Sequence, residues 1–192
     1  MTENERKGGV FYATREGQTR RIAEHLAAEL RAHGVAVDVR DVAHSGPVDW
    51  TAYSATILAA SVHRGHHEKE MLRFVREHRL HLERARAAFV SVSLSERGVE
   101  DPNETPERRA QYAKDVQRML DDFVADTGWQ PTFVKPVAGA LLYSRYNLLV
   151  RFVMKRIARQ AGASTDTSRD HEFTDWAALD VFVESLLQSA AS

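Results

Sequence analysis

Val10-Phe11-Tyr12-Ala13-Thr14-Arg15-Glu16-Gly17-Gln18-Thr19 is the stretch on which the fold turns. Its first four residues are apolar or aromatic and suit a buried strand. After a short polar stretch, Ile22, Leu26 and Leu30 recur every fourth residue until Gly34, which marks an amphipathic helix and its stop. A strand feeding a helix through such a loop is one βα unit. The free N–H groups and positive dipole at the helix start suit an anion. Thr14 and Thr19 add hydroxyls, Gln18 an amide, and Gly17 close backbone approach. The loop lacks the Lys of a P-loop and the three glycines of a dinucleotide fingerprint. A single phosphomonoester therefore suits it better than a nucleoside triphosphate or NAD. The same spacing also serves a plain N-cap and turn with no ligand, and from local pattern alone the two readings stay open.

Working outward, apolar runs alternate with helical periodicity. Val35–Val39 reads as a second strand, Ala55–Ala60 as an almost wholly apolar third, Ala87–Val92 as a fourth and Thr132–Val137 as a fifth. Between them lie a helix carrying Met71, Phe74 and Val75, and a longer one from about Glu107 to Thr127 that stops at Gly128. A last helix begins at Thr174-Asp175-Trp176. The expected class is α/β: a doubly wound, five-stranded parallel sheet with helices on both faces. Ligands in such sheets sit at the carboxyl ends of the strands, which points to the loops after strands one, three and four. About thirty residues between strand five and the last helix exceed a minimal domain of this kind.

The 192 residues are expected to form a single domain with an ordinary globular composition, 43% hydrophobic and 28% charged. Without cysteine there is no thiol nucleophile, Cys-ligated metal or disulfide. The charged N-terminus lacks a signal peptide's apolar core, and every long apolar run is broken by Arg or Lys, so a cytoplasmic protein is expected. The net charge is only −1, yet no Asp or Glu occurs from Thr127 to Thr165, where Lys135, Arg145, Arg151, Lys155, Arg156 and Arg159 are basic. That asymmetry calls for an anionic partner.

The loop Thr14–Thr19 resembles the phosphate loop of the flavodoxins. More of the chain is similar to one branch of that family, the flavodoxin-type protoporphyrinogen IX dehydrogenases that pass electrons to a quinone. The matching segments are Thr14–Arg20, Ala60-Ser61 followed by Gly65-His66, Ser91-Val92, Ala138–Leu141 with Tyr143, Arg145 and Tyr146, Arg151-Phe152, Thr165–Thr167 and Thr174–Trp176. The resemblance implies a flavodoxin-like FMN-binding fold with a basic helical insert at about residues 141–170. It also implies oxidation of a porphyrinogen substrate with a quinone as acceptor. Thr14, Arg15, Glu16, Gly17, Gln18 and Thr19 would hold the phosphate. Ser61, Val62, His63, Arg64 and Gly65, with Ser93, Leu94 and Ser95, would flank the flavin ring from two polar loops, Ser61–His67 and Ser93–Gly98. In that branch Arg-Tyr tends to precede Gly-His, whereas this chain has His63-Arg64, so a guanidinium or imidazole takes the place of an aromatic stacking partner.

No metal is expected. Adjacent His66 and His67 point different ways, and no zincin motif is present. No Gly-x-Ser-x-Gly elbow supports a hydrolase. Tyr146–Arg159 reads as an amphipathic cationic helix, with Leu149, Phe152, Val153 and Ile157 on one side and Arg151, Lys155 and Arg159 on another. Such a helix suits an anionic membrane surface, here the inner face of the cell membrane. Arg145, Arg151, Lys155 and Arg159 are accordingly the candidates for substrate or membrane contact. Nucleic acid is not expected, for no recognition fold or aromatic platform accompanies the charge. A homo-oligomer is compatible with the sequence, and a flavodoxin-type electron carrier or another FMN-dependent quinone-linked oxidoreductase is the alternative function.

Overall fold

The computed structural model describes residues 7–141 and 170–191. The expected βα unit is present: β1 (Lys7–Ala13) leads into α1 (Gln18–Ala32), then β2 (Val37–Asp41). The second strand starts two residues later than its apolar run suggests. The Val35 N–H instead bonds the Leu30 carbonyl, beside the Gly34 N–H on Arg31, and so closes the helix. Next come β3 (Tyr53–His63), β4 (His66–His67), α2 (Lys69–Arg84), β5 (Arg86–Ser93), α3 (Leu94–Glu100), α4 (Pro106–Thr127) and β6 (Phe133–Ala138). The short strands β7 (Ala140–Leu141) and β8 (His171–Glu172) precede α5 (Trp176–Ala191).

Five strands pair in parallel in the order β2-β1-β3-β5-β6, and β4 folds back on β3. Side chains alternate across the sheet. Val10, Ile57, Ala59, Ala88 and Val90 meet Ile22, Leu26 and Leu30 of α1 and Leu179 and Val183 of α5. On the opposite face Phe11, Leu58 and Phe89 pack on Met71, Phe74 and Val75 of α2, on Phe123 of α4 and on Trp129. Pro136 falls in β6, the edge strand, where its missing N–H breaks no ladder between strands.

Two segments expected as polar loops have regular structure. Ser61–His67 is a hairpin in which β3 and β4 pair Val62 with His67 and His63 with His66 around the turn Arg64-Gly65. Ser93–Gly98 opens into α3, because the Ser93 hydroxyl caps the helix by accepting the Glu96 N–H and Gly98 packs under Tyr112 of α4. The basic insert, with Arg145, Arg151, Lys155 and Arg159, lies outside the described residues. Its two flanks are paired, Ala140 with Glu172 and Leu141 with His171.

Candidate functional site

The parallel registers align four strand ends. Ala13 stands beside Ala60, Ser61 beside Val92, and Ser93 beside Ala138. The chain reverses direction of winding at β1, with β2 on one side and β3 on the other, so a crevice opens above this row. Thr14, Glu16, Gln18, Thr19, Ser61, Val62, His63, Val92, Ser93, Leu94, Gly139 and Ala140 line it. A larger apolar hollow lies at the opposite edge of the sheet among Leu30, Val35, Phe133, Leu186 and Leu187. It lies at the amino ends of β1, β3 and β5 and lacks a comparable set of polar groups.

At the start of α1 the backbone is arranged for an anion. The Thr14 hydroxyl accepts the Gly17 N–H at 3.0 Å. Gly17 adopts φ 99°, a left-handed conformation that glycine takes without steric cost, and no side chain caps the helix. The first helical bond runs from the Arg21 N–H to the Gly17 carbonyl, so the N–H groups of Gln18, Thr19 and Arg20 have no acceptor within the helix. The Thr19 hydroxyl is fully buried and has no hydrogen-bond partner. An unpartnered buried hydroxyl among free N–H groups fits an oxyanion such as phosphate.

Other residues of this loop hold the site together. The Gln18 amide nitrogen donates to Glu172 at 3.1 Å and to Thr174 at 2.9 Å, while its oxygen accepts from Arg21. Both amide hydrogens expected to face a phosphate are thus committed to the protein. Arg15 turns away from the cleft to pair with Glu68 at 3.0 Å, and the Ser61 hydroxyl reaches the other oxygen of the same carboxylate at 3.4 Å. Buried Glu68 thereby ties the first loop to the hairpin. Glu16 borders the cleft, and its carboxyl is pushed above the usual range, chiefly by burial and further by Glu68, against the lowering effect of His63 and Arg15.

Thr14, Glu16, Gln18, Thr19, Ser61, Val62, His63, Ser93 and Leu94 therefore converge on one cleft. Arg15, Gly17, Arg64, Gly65 and Ser95 do not line it. Val92, Gly139, Ala140 and the buried Glu68 join it or brace it, although the loop pattern did not single them out as site residues. Gly139 and Ala140 stand in a matching segment, whereas nothing local to Glu68 signals its role. His66 is exposed and His67 buried, and among the described residues no group of three or more His, Asp or Glu is placed to hold a metal ion. No helix among the described residues is long and apolar enough to cross a membrane.

The family model for the flavodoxin domain matches residues 9–168. Protoporphyrinogen IX dehydrogenase [quinone] of Escherichia coli K12 is 34% identical over 167 residues, covering 87% of both chains. The protein of that name from Leishmania major is 29% identical over 171 residues, covering 88% of this chain and 70% of its own. Among solved structures, a short-chain flavodoxin associated with a non-canonical PDU bacterial microcompartment superposes with a TM-score of 0.54 at 15% identity, covering 96% of this chain and 99% of that one. Oxidised flavodoxin 1 of Bacillus cereus gives 0.53 at 17%, covering 95% and 97%. These two likenesses speak to fold alone. The sheet order, the cleft above the strand ends and the match along most of both chains place this protein in the flavodoxin-domain family, in the branch of the protoporphyrinogen IX dehydrogenases.

Proposed function

We propose that the chain binds FMN in the cleft above β1, β3 and β5 and oxidises protoporphyrinogen IX to protoporphyrin IX, with a quinone as electron acceptor. The observation that carries the activity is the 34% identity to the E. coli enzyme over 87% of both chains. The unpartnered Thr19 hydroxyl at an uncapped helix start supports the cofactor independently of any likeness.

Thr14, Gly17 and Thr19, with the first N–H groups of α1, would hold the phosphate. Ser61–His63, Ser93-Leu94 and Gly139-Ala140 would border the ring. When bound, FMN supplies the two-electron redox chemistry. The protein's part is to fix the cleft: Glu68 clamps Arg15 and Ser61, and Gln18 anchors the loop to Thr174. Arg145, Arg151, Lys155 and Arg159 would provide the contact with an anionic membrane surface at the inner face of the cell membrane, where a lipid-soluble quinone is available. The N-terminal flank of this segment starts beside the cleft, for Ala140 borders it and pairs with Glu172.

Anaerobic mixing of FMN-loaded protein with protoporphyrinogen IX and a quinone should give growing protoporphyrin fluorescence. Bound FMN without that signal would leave an electron carrier or another quinone-linked oxidoreductase, and failure to take up FMN would remove all of these readings. Co-sedimentation with anionic vesicles should fall for Arg151→Glu/Lys155→Glu, and equal sedimentation would sink the membrane contact.

A further inference from the structure

The hairpin beside the cleft carries an arginine that the fold itself does not use. Its two-residue turn holds Arg64 at φ 52° and Gly65 at φ 83°. Positive φ at both central positions is the type I′ geometry, for which Asn-Gly and Gly-Gly are the unstrained choices. Arg64 is the one residue other than glycine with positive φ among the described residues, and its Cβ incurs the steric penalty that glycine escapes. Nothing within the fold offsets it. The side chain is exposed and, among the described residues, forms no hydrogen bond or ion pair, whereas Arg15, Arg21 and Arg97 are all paired. Its neighbour His63 lines the cleft, while Arg64 stands one residue further out, beyond the lining. The Arg118 guanidinium approaches the same turn, 3.7 Å from where a side-chain carbon on Gly65 would sit, but it is paired with Asp122 at 3.7 Å, so Arg64 is the cation at the tip left without a partner among the described residues.

We infer that Arg64 is a specificity-determining residue that receives a propionate carboxylate of the porphyrinogen at the mouth of the cleft. The inference rests on the proposed activity and adds the recognition of the substrate's charge. An unpaired, planar guanidinium is a bidentate carboxylate donor. A porphyrinogen whose macrocycle enters the cleft keeps its carboxylates at the rim, in water. Local strain retained at an otherwise idle, exposed side chain is the pattern of a residue held for a ligand. Its position outside the lining separates this role from stacking on the flavin.

The test titrates protoporphyrin IX and its dimethyl ester against FMN-loaded protein by porphyrin fluorescence anisotropy, alongside FMN affinity. Arg64→Gln should weaken the dicarboxylate about tenfold, the effect of losing one charge-assisted contact, and leave the ester and FMN unchanged. Arg64→Lys should recover part of the loss. Arg64→Gly should melt at a higher temperature than wild type while binding the dicarboxylate as poorly as Arg64→Gln. Equal affinity of wild type and Arg64→Gln for the dicarboxylate would overturn the inference, as would a loss confined to FMN or no binding of either porphyrin by wild type. Arg64-dependent binding without turnover of porphyrinogen would instead remove the proposed activity and leave the contact standing.

Discussion

Gln18 and Thr174 are joined by a buried hydrogen bond of 2.9 Å across 156 residues of chain. The Thr174 hydroxyl donates in turn to the Ala138 carbonyl at 2.8 Å, so the start of α1, the end of β6 and the approach to α5 form one network. Gln18→Ala should cost about 1–3 kcal/mol, the penalty of leaving a buried polar partner unmet. For a chain of this size that is a fall of about 3–10 °C in Tm. Thr174→Val should cost a similar amount, and the double variant less than the two together, since both remove the same bond. Additive losses in thermal denaturation would show that the two side chains act separately.

The buried Thr19 hydroxyl predicts a trade between stability and binding. Thr19→Val keeps the shape and removes the unpartnered group, so the FMN-free protein should gain about 1 kcal/mol. FMN affinity should fall about tenfold, the worth of one hydrogen bond to a charged group. Chemical denaturation and flavin fluorescence titration measure the two effects. A variant that loses stability and keeps its affinity contradicts the assignment.

Gly17→Ala forces a Cβ into φ 99°, which costs about 1–2 kcal/mol in the folded state. Because the strain falls at the proposed phosphate site, FMN affinity should drop as well. Gly34→Ala makes the control, because Gly34 has φ 82° and open space where a Cβ would go. It should lose comparable stability and retain FMN affinity.

His67 and Glu96 set opposing pH dependences. His67 is buried against Phe89 and Phe123 with Ser91 at 2.9 Å, and burial lowers its pKa from 6.5 to about 4. Its neutral form is favoured on folding, so its stabilisation is complete above pH 6.5 and is lost as pH falls towards 4, about 3 kcal/mol in all. Glu96 is raised from 4.5 to about 7, first by burial and then by Glu100, against the pull of Lys135. Its stabilisation is present below pH 4.5 and is lost as pH rises towards 7. Between pH 4.5 and 6.5 the two slopes offset each other in the native protein. Glu96→Gln should therefore make stability climb with pH over that window, and His67→Gln should make it decline. Urea denaturation at three pH values decides the matter, and parallel profiles for all three proteins would refute it.

Most of the architecture was legible because its signals are local. The alternation of apolar runs with four-residue periodicity located the five parallel strands and the helices carrying Ile22, Met71 and Met119. Gly34 and Gly128 marked two helix ends. Hydroxyls, a glycine and a helix start within six residues marked the first loop. The two other loops were misjudged for a common reason. Ser61–His67 and Ser93–Gly98 are polar and short, and what orders them is a type I′ turn occupied by Arg64 and the seat that Tyr112 provides for Gly98, neither of which local spacing encodes.

By itself the amino-acid sequence determined the class of fold, the place of the loop that leads β1 into α1 and the charge asymmetry of the insert, because periodicity, turn chemistry and charge are properties of neighbouring residues. Only the tertiary structure decided what each loop residue does. It turned Arg15 to Glu68 and Gln18 to Thr174, left Thr19 unpartnered, and placed Arg64 outside the cleft that His63 lines. Those assignments depend on partners 53 and 156 residues away, brought together by strand order and register, and hydrogen bonds are allotted only once the sheet has closed over its core.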